Sequence, residues 1–279
     1  LLFVRRQPRI RMDVTRIIEH IERIAPPTAQ ASWDRSGLQA AGLAPAASRL
    51  AVGLDPTPDF VAAALDWGAG FLLTHHPLYL EPRPLDAPGP FLDAARAVLS
   101  AGAWLYAAHT SLDANPAGPA GWLARKLGLA GLAVLEPTAD GLGIGQVGDL
   151  GEPLAWDDFA RVLAGQVRRD FWTLAGTRPQ RVERVAICPG SGGSLAGAAR
   201  AAGAQVLVTG DLKYHQALDA GHPATGLCVV DVGHFSLEEE MTRLLAGSLD
   251  AQLAPAGVEV RFFPGRDPLE ALRPDPIRS

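Results

Sequence analysis

The sequence is short of cysteine, of lysine and of long apolar runs. Two cysteines, Cys188 and Cys228, stand far apart and form no CxxC pair. That argues against a thiolate zinc site and a disulfide framework, and it points to a reducing, cytoplasmic setting. No apolar run reaches the roughly 20 residues of a membrane-spanning helix. The opening LLFVRRQPRIR is too short, and in the wrong order, for a secretory signal. Residues 1–11 read as a peripheral N-terminal extension. Lysine occurs only at Lys126 and Lys213, and the formal charge is −5. A nucleic-acid binder resting on electrostatics carries a basic face instead.

What is present is an apolar, alternating chain. With 48% hydrophobic residues in 279, a substantial core is available. Asp13 caps a helix over 14–24. The spacing predicts strands over 49–54, 71–74 and 103–108, and helices over 58–67, 91–100 and 117–127. Residues 138–153 read as glycine-rich loop plus strand, and 156–167 as helix. Strands alternating with helices predict an α/β fold. From Arg184 the pattern restarts. Aligning Val52 with Ile187 also aligns Thr74 with Thr209, both 135 positions apart. His109-Thr-Ser-Leu-Asp113 answers His234-Phe-Ser-Leu-Glu238, 125 positions apart. These recurrences predict two related α/β subdomains from an internal duplication. The first repeat spans 12–135, a connecting segment 136–183, and the second repeat 184–279.

The chemistry gathers at strand ends. In FLLTHHPLY, His75 and His76 close a buried strand. Neighbouring residues on a strand face opposite ways, so both serve one site only if the chain leaves the strand there. Pro77 favours that by biasing His76 away from helix. His109 and Asp113 follow the next strand, and His234 and Glu238 the matching strand of the second repeat. Ser236 and Glu239 read as a capping box for the helix there. If the repeats pack about a pseudo-twofold, His75, His76, Asp113, His234 and Glu238 converge. Histidine and carboxylate without thiolate suit two divalent ions drawn from Zn, Fe, Mn, Co or Ni. Five ligands fit a pair of metals better than one open site. Such a pair would acidify water and attract an anionic substrate.

The motifs WDRSGLQ, THHPLY, AHTSLD, PGSGGS, TGDLKYH and DVGHFSLE resemble the GTP cyclohydrolase I type 2 homologue family. It is also called the NIF-three-like or dinuclear-metal-centre family. The resemblance runs from about Asp13 to Phe263, with the motifs in family order. It implies two related α/β halves with mixed sheets, and a dinuclear metal centre at His75, His76, Asp113, His234 and Glu238. Glu238 is similar to the bridging carboxylate. It also implies a homohexamer built as a trimer of dimers. Arg35 departs from the asparagine of many relatives.

Other features carry two readings each. Pro189 to Ser194 precedes a helix without the GK[ST] of a P-loop; it is either a phosphate cradle or a tight turn. Lys213, Tyr214 and His215 either line a substrate cavity or cap a helix. Trp33 to Gln39 is either a loop over the mouth or a core tryptophan beside a solvated turn. His109 and His215 are the candidates for handling protons. His20 and His222 read as structural. The functional expectation is a metal-dependent hydrolase acting on a nucleotide or other anionic small molecule. The alternative is a non-catalytic metal-handling or regulatory scaffold.

Overall fold

Four apolar runs build the first sheet. In the computed structural model, which describes residues 11–222 and 226–272, strands Glu259–Phe262, Arg49–Gly53, Phe71–Thr74 and Trp104–Ala107 lie side by side and parallel. Gly37–Ala40 closes the far edge antiparallel. The expected extension at 1–11 lies outside the described residues apart from Arg11. Phe71–Thr74 is buried along its whole length, as a central strand covered on both faces must be. Phe60, Val61, Ala64, Leu72, Val98 and Leu105 form one core cluster that joins strands to helices Pro58–Asp66 and Pro90–Ala101. Each large side chain buried there contributes about 1.5–3 kcal/mol. Thr57 caps the first of these helices by accepting from the Phe60 amide at 3.1 Å. Helix Val14–Ile24, capped by Asp13, buries Val14, Ile17 and Ile21.

The second sheet runs in the order Ala130–Ala139, Leu142–Ala155, Arg181–Ser191, Val206–Gly210, Cys228–Asp231, Thr173–Ala175. Its three strands from Arg181 to Asp231 are parallel. Leu142–Ala155 and Thr173–Ala175 flank them antiparallel. The two sheets share a plan: three parallel strands, with an antiparallel strand beside the third that precedes all three in sequence. The molecule is therefore α/β, as the alternation predicts, and its sheets are mixed and flanked by helices, as the resemblance implies.

Among the described residues, one compact unit comprises 11–120, 137–144 and 239–265, and the other 121–136, 145–222, 226–238 and 266–272. Two local expectations change. The helix expected over 117–127 is a single turn at Pro119–Gly121 followed by Trp122–Lys126, because Gly118, Pro119 and Gly121 interrupt it. Residues 138–153, read as loop plus strand, are chiefly a 14-residue strand, Leu142–Ala155. The segment 136–183 thus supplies strands and, as expected, a helix, Trp156–Ala164. Among the described residues, no helix is long and apolar enough to cross a membrane.

Candidate metal centre

The first unit assembles three histidines at the carboxyl ends of adjacent parallel strands, where open α/β sheets place their ligands. The chain leaves the Phe71–Thr74 strand at His75. The His75 and His76 amides still bond the carbonyls of Gly53 and Leu54, at 3.1 and 2.9 Å. Thr74 Oγ1 then donates to the His76 carbonyl at 2.7 Å and turns the chain. The adjacent rings, which a regular strand would set on opposite faces, end with centroids 5.0 Å apart. His109 follows the next strand and starts the one-turn helix Thr110–Asp113. Its ring lies 5.2 Å from that of His75 and 5.5 Å from that of His76. One ring nitrogen from each of the three lies within 4.8 Å of the others. Asp113 Oδ1 is 3.8 Å from His75 Nε2. That is long for a hydrogen bond but suits two atoms reaching one ion through bonds of about 2 Å.

In the second unit, His234 and Glu238 occupy one face of the first turns of helix His234–Leu253, with Nε2 and Oε2 2.7 Å apart. The expected capping box is absent, because the helix already begins at His234. Ser236 lies inside it and donates to the Arg168 carbonyl at 3.3 Å. Glu239 instead accepts from the Gly265 amide at 2.7 Å, and burial pushes its carboxyl pKa upward. Glycines make room for the pair. A Cβ on Gly190, whose φ is +63°, would sit 2.1 Å from Glu238 Oε1. One on Gly210 would sit 2.4 Å from the His234 amide nitrogen.

Each of these four histidines is held through Nδ1 by an oxygen. His75 Nδ1 donates to the Ala108 carbonyl at 2.8 Å. His76 is held by Asp55 at 2.7 Å, His109 by Asp34 at 2.6 Å, and His234 by Asp211 at 2.6 Å. A carbonyl or carboxylate only accepts, so each Nδ1 carries a proton and, in the neutral ring, Nε2 is the nitrogen with the lone pair. His234 Nε2, which also faces Glu238, would have to be deprotonated to ligate. Fixing the outer nitrogen so that the inner one can ligate is the arrangement metal-binding histidines use. The donors are nitrogen and carboxylate oxygen without thiolate, so these groups can hold borderline or hard divalent ions.

Asp34 is the most elaborated of these anchors. It is buried, and it also accepts from Ser36 Oγ, Thr110 Oγ1 and the Arg35 amide, each at 2.6 Å. Burial works to raise its pKa. The hydrogen bonds from His109, Ser36 and Thr110 outweigh that and hold the carboxyl well below its usual range. Asp211 adopts φ +54° to reach His234, a left-handed conformation that aspartate tolerates better than most residues.

The sequence reading assigned no role to Asp34, Asp55 or Asp211. Asp55 and Asp211 each stand just past the end of a parallel strand, a legible position. Asp34 is 75 residues from His109 in sequence, and only the fold joins them. His215, expected to handle protons, is exposed with its ring 5.4 Å from that of Tyr214. It joins none of the donor groups found among the described residues. Lys213 stands at the N-cap of helix Tyr214–Ala220, its amide donating to Gln216 Oε1 at 3.2 Å. Trp33 is 58% exposed, which removes the core reading for it. The glycines of Pro189 to Ser194 meet the chain's own side chains: Glu238 at Gly190, Cys188 and Thr209 at Gly192, and Gln216 at Gly193. That packing favours the tight-turn reading.

Residues 12–268 match the model of the family described as Duf34/NIF3 (NGG1p interacting factor 3). The chain belongs to this family. Among its Duf34/NIF3 relatives is the "GTP cyclohydrolase 1 type 2 homolog" of Streptococcus pneumoniae serotype 4. It is 30% identical over 268 residues, covering 91% of this chain and 97% of that one. The protein of the same name from Nostoc sp. is 32% identical over 194 residues, covering 68% and 73%. The Bacillus cereus protein related to NIF3 shares the fold with a TM-score of 0.85 at 21% identity, over 95% of this chain and 100% of that one. Reduced HcgD from Methanocaldococcus jannaschii gives 0.79 at 25% identity, over 91% and 99%.

Proposed function

We propose that this Duf34/NIF3 protein binds two divalent metal ions through His75, His76, Asp113, His234 and Glu238, and that it is a hydrolase acting on a small molecule. The observation carrying the reading is the common anchoring of the histidines through Nδ1, which makes Nε2 the nitrogen that would ligate. The recurrence of His109 and Asp113 as His234 and Glu238 supports an origin by duplication of one unit. Bound ions of this class supply Lewis acidity and a water that ionises near neutral pH. Asp113 and Glu238 would help hold the ions. His109 takes up or releases a proton at Nε2, with Asp34 holding its ring in place. His215 would act from the exposed start of its helix, on a bound substrate rather than within the cluster.

The second layer changes the expected electrostatics. Asp34, Asp55 and Asp211 join Asp113 and Glu238, so five carboxylates surround the proposed pair of dications. The centre is then close to neutral, and long-range attraction of a polyanion is weak. A nucleotide or other anionic substrate would therefore depend on short-range contacts rather than on long-range attraction. The relatives' name supports trying purine nucleotides first. Homohexameric assembly belongs to the same proposal.

The test is metal analysis of protein purified without chelators, followed by turnover assays on nucleotides and phosphoesters. Two divalent ions per chain and a product that disappears in His75→Ala and Glu238→Ala are expected. Turnover unaffected by both substitutions contradicts the mechanism. Full metal occupancy without turnover on any substrate favours a metal-handling scaffold.

A further inference from the structure

Trp33 is a large aromatic side chain held in water by a rigid loop. Its ring stands edge-on to His109, with centroids 5.8 Å apart and an interplanar angle of 73°. The next residue, Asp34, is 4% exposed and fixed to His109, Ser36 and Thr110. The Asp34 amide bonds the Ala31 carbonyl, and the Ala31 amide bonds Thr110 Oγ1, both at 2.9 Å. The backbone that carries Trp33 is therefore pinned on both sides of it, while the indole is left exposed. On the other side of Asp34, Arg35 Nε donates to the Leu80 carbonyl at 3.2 Å. Leu80 lies four residues past His76. Gln39 Nε2 bonds the Arg35 carbonyl at 2.7 Å. The loop thus sets an aromatic face beside His109 and a guanidinium beside the segment that follows His76. Both side chains are exposed; Trp33 borders the three-histidine group through His109, and Arg35 is tied to the segment that follows His76.

Exposing an indole forfeits its burial, and fixing the loop costs conformational entropy. A ligand that stacks on the ring recovers apolar contact without reorganising the protein. A guanidinium held through Nε still offers its terminal N–H groups to an oxyanion. We infer that Trp33 and Arg35 form a recognition clamp for a planar heteroaromatic ring bearing an anionic group, of the nucleotide type, and present it to the histidine cluster. This deepens the proposed function. It rests on that reading for what then happens to the ligand, and on the loop alone for binding.

The experiment uses the full-length, metal-loaded protein and three probes: GMP, guanosine and ribose 5-phosphate. Dissociation constants are measured calorimetrically, with metal content and molecular mass determined on the same samples. Trp33→Ala should weaken GMP and guanosine about 10-fold, the scale of a base stacking on an aromatic ring, and leave ribose 5-phosphate unchanged. Trp33→Phe should restore most of the loss. Arg35→Ala should weaken GMP and ribose 5-phosphate and leave guanosine unchanged. Metal content should match the parent in all variants. The inference is overturned if the parent binds none of the probes, or if the variants bind all three as the parent does. It is also overturned if Trp33→Ala changes the molecular mass, because the indole then packs against a second copy of the chain. If the parent protein takes up no metal on loading, the metal reading fails, and ring-selective binding by that protein still supports the clamp.

Discussion

At the residue scale, the account turns on which imidazole nitrogen carries the proton. Asp34, Asp55 and Asp211 decide this for three of the four histidines, and a main-chain carbonyl for the fourth. Replacing Asp55 or Asp211 with asparagine keeps size and shape but allows the amide to donate, so the ring is free to adopt the wrong tautomer. Each change should weaken metal affinity roughly 10- to 100-fold while leaving the fold intact. Competitive titration with a chromophoric chelator measures this, and parental affinity in both variants contradicts the anchoring role. Away from the centre, Tyr106 donates to Glu22 Oε1 at 2.9 Å. Burial, then Glu22, raises its phenol pKa well above the ordinary value. The stability tied to keeping it protonated is complete below the unfolded value of about 10, and it is lost as pH rises through the folded value. Parent protein should therefore lose stability above about pH 10 more steeply than Tyr106→Phe. Parallel alkaline profiles in thermal melts would show that the phenol contributes nothing.

At the element scale, strand ends and glycines place the donors. A Cβ on Gly190 meets the far end of the Glu238 side chain, which can swing away. Gly190→Ala should therefore fold, at roughly 1–2 kcal/mol for its left-handed conformation, and should lose metal. A Cβ on Gly210 meets the main chain at His234. Gly210→Ala must shift the start of the helix, with a further penalty of about 1–3 kcal/mol. Thermal melts paired with metal analysis separate the two, and a Gly190→Ala protein with full metal content contradicts the Glu238 assignment. Strands 49–53, 71–74 and 104–107 were legible within a residue or two, because each is a short apolar run bounded by turn residues. The strand Leu142–Ala155 was harder to see. Its glycines at 143, 145, 148 and 151 mimic loop composition, but a Cβ at Gly145 or Gly148 would collide with neighbouring leucines. Ser236 and Glu239 satisfy the capping-box pattern, yet the strand ends at Asp231, the chain turns at Gly233 with φ +92°, and the helix starts at His234, three residues before a Ser236 cap would start it.

At the scale of the whole molecule, the duplication read from the sequence corresponds to two sheets of one plan. Strand Glu259–Phe262 shows why chain order understates the architecture: it follows the second sheet in sequence but pairs with Arg49–Gly53 in the first. A parallel partner so distant is set by packing, which period and propensity do not report. The donor residues likewise come from both ends of the polypeptide. The most direct measurement is anomalous diffraction from crystals of protein purified without chelators, recorded on both sides of the absorption edge of the metal found by elemental analysis. Two peaks about 3.5–4 Å apart are predicted, bonded to His75, His76, Asp113, His234 and Glu238, with Glu238 reaching both. Peaks elsewhere, or a single ion ligated without Glu238, would contradict the account.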